Sequence, residues 1–143
     1  MPHFIPGIDL ARSFYDEVVR DLVKPAHAAC LLGEGSEVLG YDQPRSTDHA
    51  WGPRLQILVA ESEIEPVAHA IERGLPANFK EWPVRFFKLE AGKVTHHVEV
   101  ETLDAWLLRQ LGFDPRTDLT TARWLGLSQQ RLLHVTAGAV FRD

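Results

Sequence analysis

The residue types able to do chemistry gather in one stretch, "LLGEGSEVLGYDQPRSTDHAWGPRLQILVA", Leu31 to Ala60, and in a later acidic one, "HVEVE". Gly35 and Ser36 follow an apolar run. A glycine there lets the backbone come close to a phosphate, and a helical turn starting at Ser36 would aim free N–H groups at it. The serine hydroxyl adds one more donor. Asp48 stands shortly before the next apolar run, where a carboxylate can hold a divalent metal against bound phosphates. Glu99 and Glu101 are two residues apart and therefore share one face of a strand. Either can supply a further carboxylate. Arg54 carries the planar fork that grips phosphate at two points, and it is equally a candidate structural partner of Asp48. Together these types point to phosphate chemistry assisted by a divalent metal.

One position works against that chemistry. A metal site of this kind wants a second carboxylate two residues after Asp48, on the same strand face, and Ala50 stands there. His49 points to the other face and offers nitrogen to a cation that prefers oxygen. Asp42, in the preceding loop, is the acid able to swing in. The expectation is that nucleotide binding outlasts transfer, because a turn grips phosphate without a metal while two-metal chemistry depends on its carboxylates. Simpler readings stand beside each residue. Gly-Ser makes ordinary turns, an exposed sheet face tolerates Glu99 and Glu101 without function, and Trp51 fits a core as well as a site. His96 and His97 are strand neighbours facing opposite ways, so they do not make a zinc pair. Cys30, inside "AACLL", reads as a buried thiol with no nucleophile setting.

Several elements must position these groups. Leu10, Phe14, Val18, Val19 and Leu22 recur at helical spacing from Asp9, the expected N-cap, to about Leu22, and Pro25 ends that helix. "HAACLLG" reads as a buried strand, "SEVLG" as one helical turn, "YDQPRSTD" as loop and "RLQILVA" as a second strand, with Asp48 opening it. A helix capped by Ser62 places Ile64, Val67, Ala68 and Ile71 on one face and ends at Gly74. "PVRFFKLE" and "KVTHHVEVE" predict two strands joined by "AGK", with Val94, His96, Val98 and Val100 on the buried side. Thr102 caps a helix closed by Gly112, and two short helices follow, broken near Gly126. Trp82, Trp106 and Trp124 are expected in the core or between helices. The sum is an α+β (mixed α/β) domain over residues 1–143, with a sheet of about four strands and flanking helices.

Composition narrows the classes. Hydrophobic residues at 45% and charged residues at 24% are globular values, and a net charge of −5 argues against general DNA binding. A single cysteine rules out an intrachain disulfide and fits a reducing cytoplasm. No stretch is apolar enough for a membrane span, and "MPHFIPGIDLARSF" has no secretory pattern, so a cytoplasmic protein is expected.

The order of Gly-Ser turn, spacer, acidic strand and later acidic strand resembles the nucleotidyltransferase superfamily of the polymerase-beta type. More closely, "GSEVLGYD", "STDHAWGPR", "LGFDP" and "TAGAVFRD" resemble the uncharacterised family domain of unknown function 4037. The resemblance implies a mixed sheet and, in active relatives, magnesium-dependent transfer of nucleotide to a hydroxyl or similar acceptor. It assigns Gly35 and Ser36 to the phosphate turn, Asp48 to the first metal carboxylate and Glu99 to the last. Since the family continues into a helical region after "VFRD", it also implies that residues 1–143 correspond to an N-terminal portion. The acceptor (small molecule, protein or RNA) is left open. The alternative is a catalytically inactive module that binds nucleotide or a partner.

Overall fold

The computed structural model describes residues 3–48 and 51–143, with Asp48 described by its backbone alone. His49 and Ala50, on which the expectation of impaired transfer rests, lie outside the described residues.

Helix α1 (Gly7–Phe14) passes through a π-helical segment, Tyr15–Val19, into the short α2 (Arg20–Leu22). Its apolar stripe is the expected one, and Leu10, Phe14, Tyr15 and Val19 are buried. Asp9 does not cap it. The helix begins after Pro6, Asp9 lies in the first turn, and the Gly7 N–H donates instead to Asp42 Oδ2 at 2.6 Å. A loop carboxylate thus satisfies a free N–H at the positive end of the helix.

The main sheet has five strands in the order β5-β6-β2-β1-β7: β1 (Ala28–Leu31), β2 (Arg54–Leu58), β5 (Arg85–Lys88), β6 (Lys93–Glu101) and β7 (Ala139–Arg142). β2 and β6 are parallel, and the remaining pairs are antiparallel. Four strands match the expected segments. β7 is the addition, built from the "TAGAVFRD" stretch, which has only one clear apolar alternation to announce it. A two-residue hairpin, β3 (Asn78–Phe79) and β4 (Trp82–Pro83), lies apart from the sheet.

α3 (Ile64–Gly74) follows a short 3-10 turn, Glu61–Glu63, which contains Ser62, so that serine is not the cap. α1 and α3 cover one face of the sheet, burying Leu55, Ile57, Val59 and Val98 with Phe14, Val67 and Ile71. α4 (Leu103–Leu111) is capped as expected: Thr102 Oγ1 accepts the Ala105 N–H at 3.0 Å, and Gly112 turns left-handed at φ 84°. α4 covers part of the opposite face, where Trp106, Leu107, Leu111 and Phe113 pack with Leu32 and Leu58. α5 (Thr121–Gly126) and α6 (Gln129–Thr136), with Thr120 and Ser128 as caps, lead into β7. Two packing expectations are corrected. Trp124 is half exposed on α5, and Val94, near the start of β6, is exposed.

Candidate functional site

α4 leaves the rest of its sheet face open. Strand alternation sends Arg54 and Gln56 from β2, and His97, Glu99 and Glu101 from β6, to that face. The parallel register sets Arg54 beside His97 and Gln56 beside Glu99. The chain leaves β1 at the edge of this open face, so the Gly-Ser turn lies beside it. A cleft of about 280 Å³ results, lined among others by Ser36, Ser46, Arg54, Lys88, His97 and Glu99. A second hollow of about 440 Å³ adjoins it, sharing Arg54, Gln56, Lys88 and Glu99 and reaching Trp106 and Arg109 on α4.

Three residues singled out from sequence, Ser36, Arg54 and Glu99, therefore line one cleft although they lie far apart in the chain. The local geometry differs from the expectation in two ways. "SEVLG" is a chain of turns rather than a helical turn, with Val38 N–H bonded to Gly35 O and Tyr41 N–H to Ser36 O. No helix start aims its N–H groups at the cleft from here, so an anion would meet the Ser36 hydroxyl and turn amides. Asp48 does not open a strand. It ends a 3-10 turn, Pro44–Asp48, well before β2 begins at Arg54.

Gly35 is left-handed at φ 127°, and a Cβ there would strike the Arg54 guanidinium and approach the Glu37 carboxylate oxygens at 2.7 and 2.8 Å. Glycine is required for close approach, but what approaches is Arg54. That arginine pairs through Nε with Glu37 and through Nη2 with the Glu34 carbonyl. Its structural partner is Glu37. Asp42, held by Gly7, is committed to the helix start and away from any metal role.

The two acids of β6 separate clearly. Glu101 receives both Nη1 and Nη2 of Arg109 at 2.5 and 2.7 Å, and this pairing holds the guanidinium proton even more firmly than usual. Among the described residues, the side chain bonded to Glu99 is Lys88, whose Nζ lies 3.4 Å from its Oε1. Gln56 is buried, and both ends of its amide are engaged. Its Oε1 accepts the Leu32 N–H at 2.9 Å and the Cys30 S–H at 3.7 Å, while Nε2 donates to Leu32 O at 3.1 Å. Burial pushes the Cys30 thiol up to about 12, with Glu101 adding to it, so it is no nucleophile at neutral pH.

His97 stacks on Phe86 with ring centres 3.6 Å apart and planes 5° from parallel. Its Nε2 lies 3.1 Å from the Phe86 carbonyl, which can only accept, so the ring proton sits on Nε2. Burial lowers its pKa, the Phe86 bond opposes this, and Lys88 and Arg54 add to the lowering.

The fit to magnesium can be tested on these contacts. Among the described residues no three His, Cys, Asp or Glu side chains are grouped to hold a metal ion. On the cleft face β2 offers an arginine and a committed glutamine, and Glu99 already faces an ammonium. The described residues do not fit a resident magnesium ion. Lys88, Gln56, Glu37 and Arg109 are the site residues that sequence reasoning missed. Only Gln56 left a signal, as an uncharged polar residue inside the apolar "RLQILVA".

No family model, curated protein or solved structure gives a significant match to this chain. Among the described residues no helix is long and apolar enough to cross a membrane.

Proposed function

We propose that this chain is a nucleotidyltransferase-like module that binds a nucleoside triphosphate in the cleft and transfers nucleotide slowly or not at all. What carries the reading is the convergence of Ser36 from the Gly-Ser turn with Arg54 and Glu99 from the open sheet face on one cleft, with Lys88 3.4 Å from Glu99. Ser36 and Arg54 provide donors for the phosphates. The adjoining hollow, with Trp106 and Arg109, offers room for the nucleoside or for an acceptor. Transfer would join an acceptor hydroxyl oxygen to the α-phosphorus, release pyrophosphate and shed the hydroxyl proton to solvent. The acid set that the resemblance assigns to this step, Asp48 and Glu99 holding magnesium, lacks a partner carboxylate at Ala50, and Glu99 is opposed by Lys88. Those two features favour binding over catalysis.

The test is thermal. ATP should raise the melting temperature by mass action, since it binds the folded state alone. Ser36→Ala with Arg54→Ala should abolish the rise. Gly35→Val should do the same by displacing Arg54 from Glu37. A melting curve unmoved at saturating ATP, GTP, CTP and UTP would sink the proposal. Ala50→Asp then separates the two halves of the reading: a gain of labelled-nucleotide transfer marks a disabled enzyme, and no gain marks a binding module.

A further inference from the structure

Resting on the nucleotide reading above, we infer that the cleft binds its triphosphate without a divalent metal ion, with Lys88 and Arg54 supplying the positive charge that magnesium supplies elsewhere. A metal shared between neighbouring strands needs acids at one level of the sheet, and β2 and β6 meet at Gln56 and Glu99. Gln56 is not a free ligand. Its Oε1, the atom a metal would need, already accepts from the Leu32 N–H and the Cys30 thiol in a buried position.

Glu99 is the one acid of β6 open to the cleft, because Glu101 is closed by two bonds from Arg109. Lys88, from the antiparallel neighbour β5, already stands at Glu99. A divalent cation there would sit against an ammonium, and although Glu37 and Glu90 also line the cleft, no three acids, imidazoles or thiols among the described residues are grouped to hold it. Magnesium demands near-complete oxygen coordination. The ammonium occupies the role of the ion. Arg54, on β2, places a second cation in the same cleft as Ser36, where Glu37 and Glu90 also line the wall. Two of its nitrogens are engaged, and its Nη1 has no partner among the described residues. Both cations line both hollows, so a phosphate chain crossing from one to the other meets each in turn.

Opposite signs at Glu99 make the inference testable. If Glu99 holds a metal, Glu99→Gln abolishes triphosphate binding. If Glu99 merely holds Lys88, the same change removes a competing anion and tightens it. The experiment is calorimetric titration of the full chain with ATP and with inorganic triphosphate, each in excess EDTA and in excess MgCl₂. The expected result is comparable affinity in both buffers, tighter binding in Glu99→Gln, and about tenfold weaker binding in Lys88→Met. Lys88→Met with Glu99→Gln keeps the pair neutral should the single change fail to fold, and it should bind as weakly. Binding that needs magnesium, or that vanishes in Glu99→Gln, overturns the inference and leaves the nucleotide reading standing. Absence of binding in both buffers by the unaltered chain overturns both.

Discussion

The same two strands, β2 and β6, present opposite faces that obey different rules. Toward α1 and α3 they show Leu55, Ile57 and Val98, each almost wholly removed from water. Toward the cleft they show Arg54, Gln56, His97 and Glu99, each held by a named polar partner. The first face is non-directional: apolar burial stabilises in proportion to area and asks only for size and shape. The second is directional, since every polar atom removed from water needs a partner in the right place. A chain can therefore change its cleft chemistry while the buried face keeps the fold.

The largest effect should come from the buried face. Ile57 is fully buried at the centre of the sheet, and Ile57→Ala should cost about 2–5 kcal/mol by chemical denaturation, from lost burial and the cavity left behind. A loss below about 1 kcal/mol would mean that the helices collapse onto the sheet, and that packing on this face is loose. On the cleft face the comparable position is its neighbour, Gln56. Gln56→Leu removes the partner of both the Leu32 N–H and the Leu32 carbonyl, and should cost about 1–3 kcal/mol despite being more apolar. A neutral or stabilising result would show that water replaces the amide, and that the two faces differ less than their contacts imply.

Much of the buried face was legible from sequence because it depends on period. The helical stripe through Leu10 and Phe14, the alternation of Leu55 and Ile57, and the caps at Thr102 and Gly112 all follow local rules. The α+β class follows from them. The cleft was legible only in outline. Ser36, Arg54 and Glu99 line one cleft, but their partners do not follow from spacing. Glu37 reaches Arg54, Lys88 reaches Glu99 and Asp42 reaches Gly7 through tertiary contacts that no periodicity encodes. The turn after Gly35 misled for a related reason. "SEVLG" has a helix-like start and a terminating glycine, yet Gly35 is spent on the approach of Arg54, and the segment closes as turns. β7 was missed because a four-residue edge strand carries almost no pattern of its own.

The smallest effect distinguishes the faces most directly, because adjacent histidines report on each. His96 points toward α3, where its Nε2 lies 2.9 Å from Glu72 Oε2 and its Nδ1 accepts the Val98 N–H at 3.2 Å. His97 points into the cleft. Both pKa values lie below the ordinary 6.5, in each case chiefly through burial; Glu72 opposes the shift at His96, where Arg85 and Lys88 add to it. The sign follows from proton counting. Below the ordinary value the unfolded chain binds more protons than the folded one, so stability is complete above that pH and declines as acid is added. Each histidine contributes a slope smaller than the limit of about 1.4 kcal/mol per pH unit, and His96→Gln or His97→Gln should flatten the decline between neutrality and mild acid. Ligand then separates the pair. A triphosphate in the cleft brings negative charge to the open side of the His97 ring and should raise its pKa, read from imidazole C–H shifts by NMR titration. His96, on the far side of the sheet, should keep its value, because the sheet and its packed side chains stand between. Equal movement of both would mean that binding reshapes the whole sheet, and movement of His96 alone would put the ligand on the wrong face.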